Sequence, residues 1–269
     1  MNEKLRAAVY GFAVGDALGV PYEFKRRDTF YCSDMVGFGT WNQPAGTWSD
    51  DTSMMLATCD SIRERGVVDP YDIMAKFVKW RYHGEYTARG EVFDVGGTTD
   101  RALMRFAYDG KPWNECGLRD EFSNGNGSLM RILPLAFVPG IDETYVAEVS
   151  ELTHAHPTSV RNCCEYVWFC QRLIEDPTFS VPERITKAPR RDIVSTGYVV
   201  TTLGAALWSL GVSQSYPEAV LTAVNLGGDT DTIAALTGAL AALKWGMEGI
   251  PNHWIDKLAN KPLIESCLF

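Results

Sequence analysis

The chain has 269 residues, 46% of them hydrophobic, which suffices for a sizeable core. Its formal net charge of −9, with no Lys/Arg-rich run, argues against nucleic acid or an anionic membrane surface as the main target. Seven cysteines, an odd number with no CxxC spacing, fit neither a disulfide framework nor a zinc knuckle and point to a reducing cytoplasm.

The first element is a helix. Residues 2–19, NEKLRAAVYGFAVGDALG, place Leu5, Ala8, Val9, Phe12 and Ala13 on one face. Asp16 interrupts this apolar stretch and no signal-peptide charge pattern precedes it. No segment reaches ~18 uninterrupted apolar residues, so no membrane span is expected and a cytoplasmic protein is. Glu23 follows in a loop beyond Pro21. Strand signals are few, and residues 30–35 are a short stretch with the character to pair.

Residues 46–56, GTWSDDTSMML, open an apolar helical run with Ser49, Asp50, Asp51 and Thr52. Asp69 and Pro70 then begin a helix carrying Ile73, Met74, Phe77 and Val78. Residues 93–103, FDVGGTTDRAL, put Asp94 before a Gly-Gly-Thr-Thr turn in which capping is the simplest reading. Residues 124–137, NGNGSLMRILPLAF, set Asn126, Gly127 and Ser128 before a short apolar helix. Free backbone N–H groups at such a start suit phosphate, and an Asn-Gly turn with a Ser cap explains the same pattern.

Helices are expected over residues 142–154, 159–176, 195–210, 216–226 and from Asp231 to Trp245. The last three are largely apolar and belong near the centre of the fold. His154 and His156, in THAHP, stand where two helices meet, as turn residues or as contacts to a sugar hydroxyl or phosphate. The irregular stretches 25–47, 82–97, 114–127 and 176–192 are too short and too poor in Gly and Ser for inter-domain linkers. Residues 1–269 are therefore expected to form one all-α domain.

The segment NLGGDTDTIAAL, residues 225–236, sets Asp229, Asp231 and Thr232 at the mouth of an apolar helix. One aspartate suffices as an N-cap, and acids in a first turn suit the helix dipole. Two acids here, and the adjacent pair Asp50-Asp51, repel one another and lose more if buried. Mg²⁺ or Mn²⁺, which favour carboxylate, hydroxyl and water oxygens, would remove that cost. If the two helix starts meet, four carboxylates suit two hydrated cations better than one. Capping and metal binding both remain open at this point.

In order along the chain, the motifs Gly11-Phe12-x3-Asp16-Ala17-Leu18-Gly19, Trp48-Ser49-Asp50-Asp51-Thr52, Asn126-Gly127-Ser128-x-Met130-Arg131, Thr153-His154-x-His156-Pro157 and Gly227-Gly228-Asp229-Thr230-Asp231-Thr232 resemble those of the ADP-ribosylglycohydrolase family. The resemblance implies a compact orthogonal multi-helix bundle with a central cleft and a dinuclear Mg²⁺ or Mn²⁺ centre. The ligands it implies are Ser49, Asp50, Asp51, Asp229, Asp231 and Thr232, with Ser49 standing where the family commonly has Thr. It implies Glu23 as the mobile acidic residue after the first helix. Asn126, Gly127 and Ser128 would take the diphosphate, His156 the distal ribose or its phosphate, and Asp94 would belong to a substrate loop.

The implied activity is hydrolysis of the bond between C1 of the distal ribose and an acceptor, with Asp51, Asp231 or Glu23 as proton acceptor. The partner would be an ADP-ribosylated protein or a small ADP-ribose conjugate. Arginine is the favoured leaving group, since Asp94 or Glu91 would suit a guanidinium. Serine or a small molecule is the alternative acceptor. Two other readings compete. Asp229-Thr230-Asp231 resembles the DxD of haloacid-dehalogenase-type phosphohydrolases, and the fold can serve as a non-catalytic binding or structural protein. Trp41 and Trp48, around the first acidic cluster, either line the cleft or sit in the core.

Overall fold

The computed structural model describes residues 2–269. Among them are twelve α-helices: α1 (Glu3–Gly19), α2 (Asp50–Arg65), α3 (Pro70–His83), α4 (Gly97–Ala107), α5 (Glu143–Glu151), α6 (Pro157–Glu175), α7 (Glu183–Thr186), α8 (Val199–Gly211), α9 (Tyr216–Val224), α10 (Thr230–Trp245), α11 (Asn252–Lys257) and α12 (Lys261–Cys267). The fold is all-α, and the described residues contain no sheet, only three isolated bridges. Among the described residues no helix is long and apolar enough to cross a membrane. All seven cysteines are free thiols.

The expected pairing of residues 30–35 does not form. A side chain takes the place of a strand partner: Asn225 Oδ1 accepts the Cys32 N–H and Asn225 Nδ2 donates to the Cys32 carbonyl, each at 2.8 Å. The absence of a sheet also removes the phosphohydrolase reading of Asp229-Thr230-Asp231, because that DxD needs a core strand before it and a sheet around it.

The centre of the fold is α10, buried without a break from Thr230 to Leu243 and packed against α1, α2, α6, α8 and α9. Its neighbour α8 is buried along most of its length and open at Val200, 42% exposed, while α9 buries one face and leaves the other partly exposed. The closest pairing is α1 on α10. Gly11, Gly15 and Gly19 repeat every fourth residue and so share one face of α1. A Cβ at Gly11 would overlap the Gly238 carbonyl oxygen, one at Gly15 the Ala234 carbonyl oxygen, and one at Gly19 the Asp231 Cα. The order along α10 runs backwards, so the helices are antiparallel and nearly in backbone contact. The last turn of α1 therefore lies against the first turn of α10.

Helix α2 joins the same corner. It starts at Ser49, which caps it, and ends at Gly66 with φ of +71°, the left-handed terminus that favours glycine. Trp48, just before the start, is core: it is 1% exposed and its indole N–H donates to the Ala259 carbonyl at 3.1 Å. Three helix ends thus converge, two of them N-termini.

Candidate active site

Asp16, fully buried on α1, ties the corner together. Its Oδ1 and Oδ2 each lie 3.0 Å from the Ser49 N–H, and Oδ2 also accepts the Thr52 N–H at 3.1 Å and the Thr52 hydroxyl at 2.6 Å. It therefore supports the first turn of α2 from another helix, with its oxygens occupied. Ser49 Oγ caps α2 in the ordinary way, accepting the Asp51 N–H at 3.3 Å.

The other acids behave differently. Asp229 stands at the N-cap position of α10, yet its side chain makes no cap hydrogen bond. Its Oδ2 instead accepts from Asn126 Nδ2 at 2.6 Å. Asp51 Oδ2 accepts the Thr232 hydroxyl at 3.2 Å and the Ser49 hydroxyl at 3.3 Å, so the two sequence clusters meet. Asp51 Oδ1, Asp229 Oδ1 and Asp231 Oδ2 are buried with no hydrogen-bond partner. Capping explains none of these three oxygens.

Burial first, then neighbouring carboxylates, push Asp50, Asp51 and Asp231 well above the usual carboxylate range. Burial raises Asp229 as well, and it raises Asp16 to about 6 against the hydrogen bonds it accepts. The positive ends of α2 and α10 offset part of this charge, and no Lys or Arg lines the cleft above it. Carboxylate oxygens of Asp16, Asp51 and Asp231 fall within 4.8 Å of one another, as do those of Glu23, Asp229 and Asp231. Unpartnered oxygens from carboxylates alone, beside the Thr232 hydroxyl, fit hard divalent cations.

A cleft of 220 Å³ opens over these acids, walled by Glu23, Asp50, Asp94, the start of α4, the 125–127 loop, His154, Asp229 and Thr232. A larger cavity of 890 Å³ lies at the far ends of α1 and α10, between Lys4 and Gly246, away from the carboxylates. Glu23 is only 5% exposed, although its loop position suggests solvation. The Trp41 indole N–H donates to Glu23 Oε2. The Trp41 ring lies between Phe24 and Phe93, with centroids 6.2 and 5.7 Å away. Burial, and then the charge of Asp94, push Glu23 up to about 9, and burial pushes Asp94 to about 6. Asp94 itself takes φ of +54°, a left-handed conformation that aspartate tolerates better than most residues. Glu91 is exposed and stands outside the cleft lining.

The start of α4 supplies the opposite wall through Gly96, Gly97, Thr98 and Thr99. No side chain caps this helix, and Thr99 Oγ1 is buried without a partner. Asn126 and Gly127 line the cleft beside it. The Ser128 hydroxyl does not: it is fully buried, accepts from Ser150 Oγ at 2.9 Å and lies 3.4 Å from Cys163 Sγ. His156 Nδ1 accepts the Thr158 N–H at 3.2 Å and so caps α6, while His154 is the histidine on the cleft wall. Of the residues named from sequence, the structure brings Glu23, Asp50, Asp94, Asn126, Gly127, Asp229 and Thr232 to one lining; the sequence did not single out Trp41 for Glu23 or Thr99 for the cleft.

The model of the ADP-ribosylglycohydrolase family matches residues 1–268. The chain is 34% identical to ADP-ribosylarginine hydrolase Tri1 of Serratia proteamaculans (strain 568), across 98% of this chain and 77% of that protein. It is 29% identical to ADP-ribosyl-[dinitrogen reductase] glycohydrolase of Rhodospirillum rubrum, across 97% and 92%. A solved structure, "ADP-ribosylglycohydrolase-related protein complex", superposes with a TM-score of 0.82 at 29% identity, covering 98% of this chain and 95% of that one. This chain belongs to the ADP-ribosylglycohydrolase family.

Proposed function

We propose that the chain hydrolyses the glycosidic bond between ADP-ribose and the guanidino group of arginine, using two Mg²⁺ or Mn²⁺ ions. The observation that carries this reading is the set of three buried, unpartnered carboxylate oxygens on Asp51, Asp229 and Asp231. Asp50, Asp51, Asp229, Asp231 and Thr232 would hold the ions. Ser49 Oγ is engaged with Asp51, and Asp16 acts through α2. Bound there, the ions would offset the carboxylate charge, hold ribose hydroxyls and acidify a water.

The chain's own groups do the rest. Glu23 is buried beside Trp41, and the charge of bound ions would bring its pKa down toward working pH, where it would take the proton of the attacking water. The uncapped start of α4, beside Gly127, offers N–H donors to a diphosphate, while Asn126 holds Asp229 in place. Asp94, with Glu23, supplies negative charge for a guanidinium leaving group. Two relatives at 34% identity carry the name ADP-ribosylarginine hydrolase, whereas the ADP-ribosylhydrolase ARH3 of Danio rerio is 24% identical, which favours arginine over other acceptors.

The experiment is mass-spectrometric detection of ADP-ribose released from arginine-linked and serine-linked ADP-ribosyl peptides, with Mg²⁺, Mn²⁺ or EDTA. Metal-dependent release from the arginine peptide is expected. Release from serine alone would move the acceptor, and release unchanged by EDTA would remove the metals.

A further inference from the structure

Arg131 has no exposed surface, and its guanidinium is spent on fixed partners. Nε donates to the Gly127 carbonyl at 3.2 Å, Nη1 to the Val149 carbonyl at 3.0 Å and Nη2 to Thr153 Oγ1 at 2.8 Å. Its face lies 4.6 Å from the centre of the Phe77 ring. A guanidinium has donors only, so the Thr153 hydroxyl must accept from it and keeps its own proton to give away. Thr153 is fully buried, and the other polar atom its Oγ1 meets is His154 Nδ1, at 2.8 Å. If Nδ1 carried the proton, Oγ1 would face two donors and its own hydrogen would be stranded in the core.

We infer that Arg131 and Thr153 lock His154 in the tautomer that carries its proton on Nε2, making the imidazole a fixed hydrogen-bond donor toward an anionic oxygen of the substrate. The identity of that oxygen, a phosphoryl oxygen of ADP-ribose, rests on the proposed function; the tautomer rests on this chain alone. The ring edge opposite Thr153 packs on the 125–127 loop. A Cβ at Gly127 would lie 2.7 Å from His154 Cε1, 3.2 Å from Nε2 and 3.0 Å from Thr99 Oγ1. His154 Nε2 and the partnerless Thr99 hydroxyl therefore both border Gly127, and His154, Thr99 and Gly127 all belong to the cleft wall. Burial pushes His154 down to about 3 and Arg131 down to about 9, so near neutral pH the imidazole is uncharged and the guanidinium charged. Arg131 and Thr153 are positioning residues, and His154 is the group that touches substrate.

The test is a long-range proton–nitrogen spectrum of the full chain labelled with ¹⁵N-histidine, with His154 assigned by its loss in His154→Asn. A protonated Nε2 and a bare Nδ1, unchanged from pH 6 to 8, are expected. Thr153→Ser should keep that signature, while Thr153→Val should mix the tautomers and raise KM roughly 10-fold with little change in kcat. A protonated Nδ1 in the unmodified chain overturns the lock, as does a wild-type signature in Thr153→Val. Should the valine variant fail to fold, the unmodified and serine spectra decide. Added ADP-ribose should shift the Nε2–H resonance, and no shift overturns the donor role. A shift with ADP-ribose, in a protein that releases none from any conjugate, strikes the hydrolase reading and leaves this inference standing.

Discussion

Thr52 on α2 donates its hydroxyl to Asp16 on α1 at 2.6 Å, and through that carboxylate one helix caps another. Asp16→Ala would leave the Ser49 and Thr52 N–H groups buried without partners, in addition to losing the charge-assisted bonds. A loss of about 2–4 kcal/mol is expected, with weaker Mg²⁺ binding because Asp50 and Asp51 sit on the same turn. Denaturant unfolding and metal titration read the two effects. Asp16→Asn, which keeps one acceptor oxygen, should fall between. An alanine variant as stable as the parent would remove Asp16 from its supporting role.

Two glycines, one inside the close packing of α1 on α10 and one outside it on α8, respond in opposite directions. Gly15→Ala forces a methyl group into the Ala234 carbonyl, where backbone must move. A loss of about 3 kcal/mol or more, or failure to fold, is expected. Gly204, inside α8, has nothing within 4 Å of a Cβ. Gly204→Ala should gain about 0.5–1 kcal/mol by lowering the entropy of the unfolded chain. Equal effects at the two sites in thermal unfolding would refute the backbone contact.

Sequence spacing exposed the two acidic clusters and the helices that carry them, because caps and periodicity are local. It also held the Gly11, Gly15, Gly19 repeat, whose four-residue spacing on one helical face signals a close neighbour. The meeting of Asp51 with Thr232, 181 positions away, is a tertiary fact with no local signal. Glu23 looked like an ordinary loop acid because nothing nearby announces that Trp41 will cover it. The histidine pair was decidable: Pro157 at the first helical position makes His156 the N-cap. That leaves His154 free to face the cleft.

The carboxylate cluster should make stability depend on pH in a direction set by metal. Asp94 and Glu23 are raised to about 6 and about 9, and Asp51 and Asp231 are raised too. A raised carboxylate binds its proton more tightly when folded. Its stabilising contribution is complete below the unfolded pKa near 4 and is lost as pH climbs through the folded value. Metal-free protein should therefore lose stability between about pH 4 and 9, and saturating Mg²⁺ should flatten that slope. Asp231→Asn removes a carboxylate common to both cation-sized groups. In EDTA at pH 9 it should melt at least about 2–4 °C above the parent, while Mg²⁺ stabilises it less and activity is lost. Scanning calorimetry across pH checks both; an Asn variant stabilised by Mg²⁺ like the parent would disprove the assignment.

Trp41 offers a handle on Glu23 that leaves the carboxylate in place. The indole N–H favours the ionised form, so Trp41→Phe should raise the Glu23 pKa. If Glu23 takes the water's proton, the acid limb of kcat/KM moves to higher pH, by about one unit for the loss of one hydrogen bond worth about 1.4 kcal/mol. Activity at acid pH then falls roughly 10-fold, and the plateau at high pH is largely recovered because the aromatic contacts with Phe24 and Phe93 persist. Glu23→Gln should instead lose activity at every pH. A Trp41→Phe enzyme that is slower without any movement of the limb would mean that the indole shapes the cleft and that another carboxylate accepts the proton.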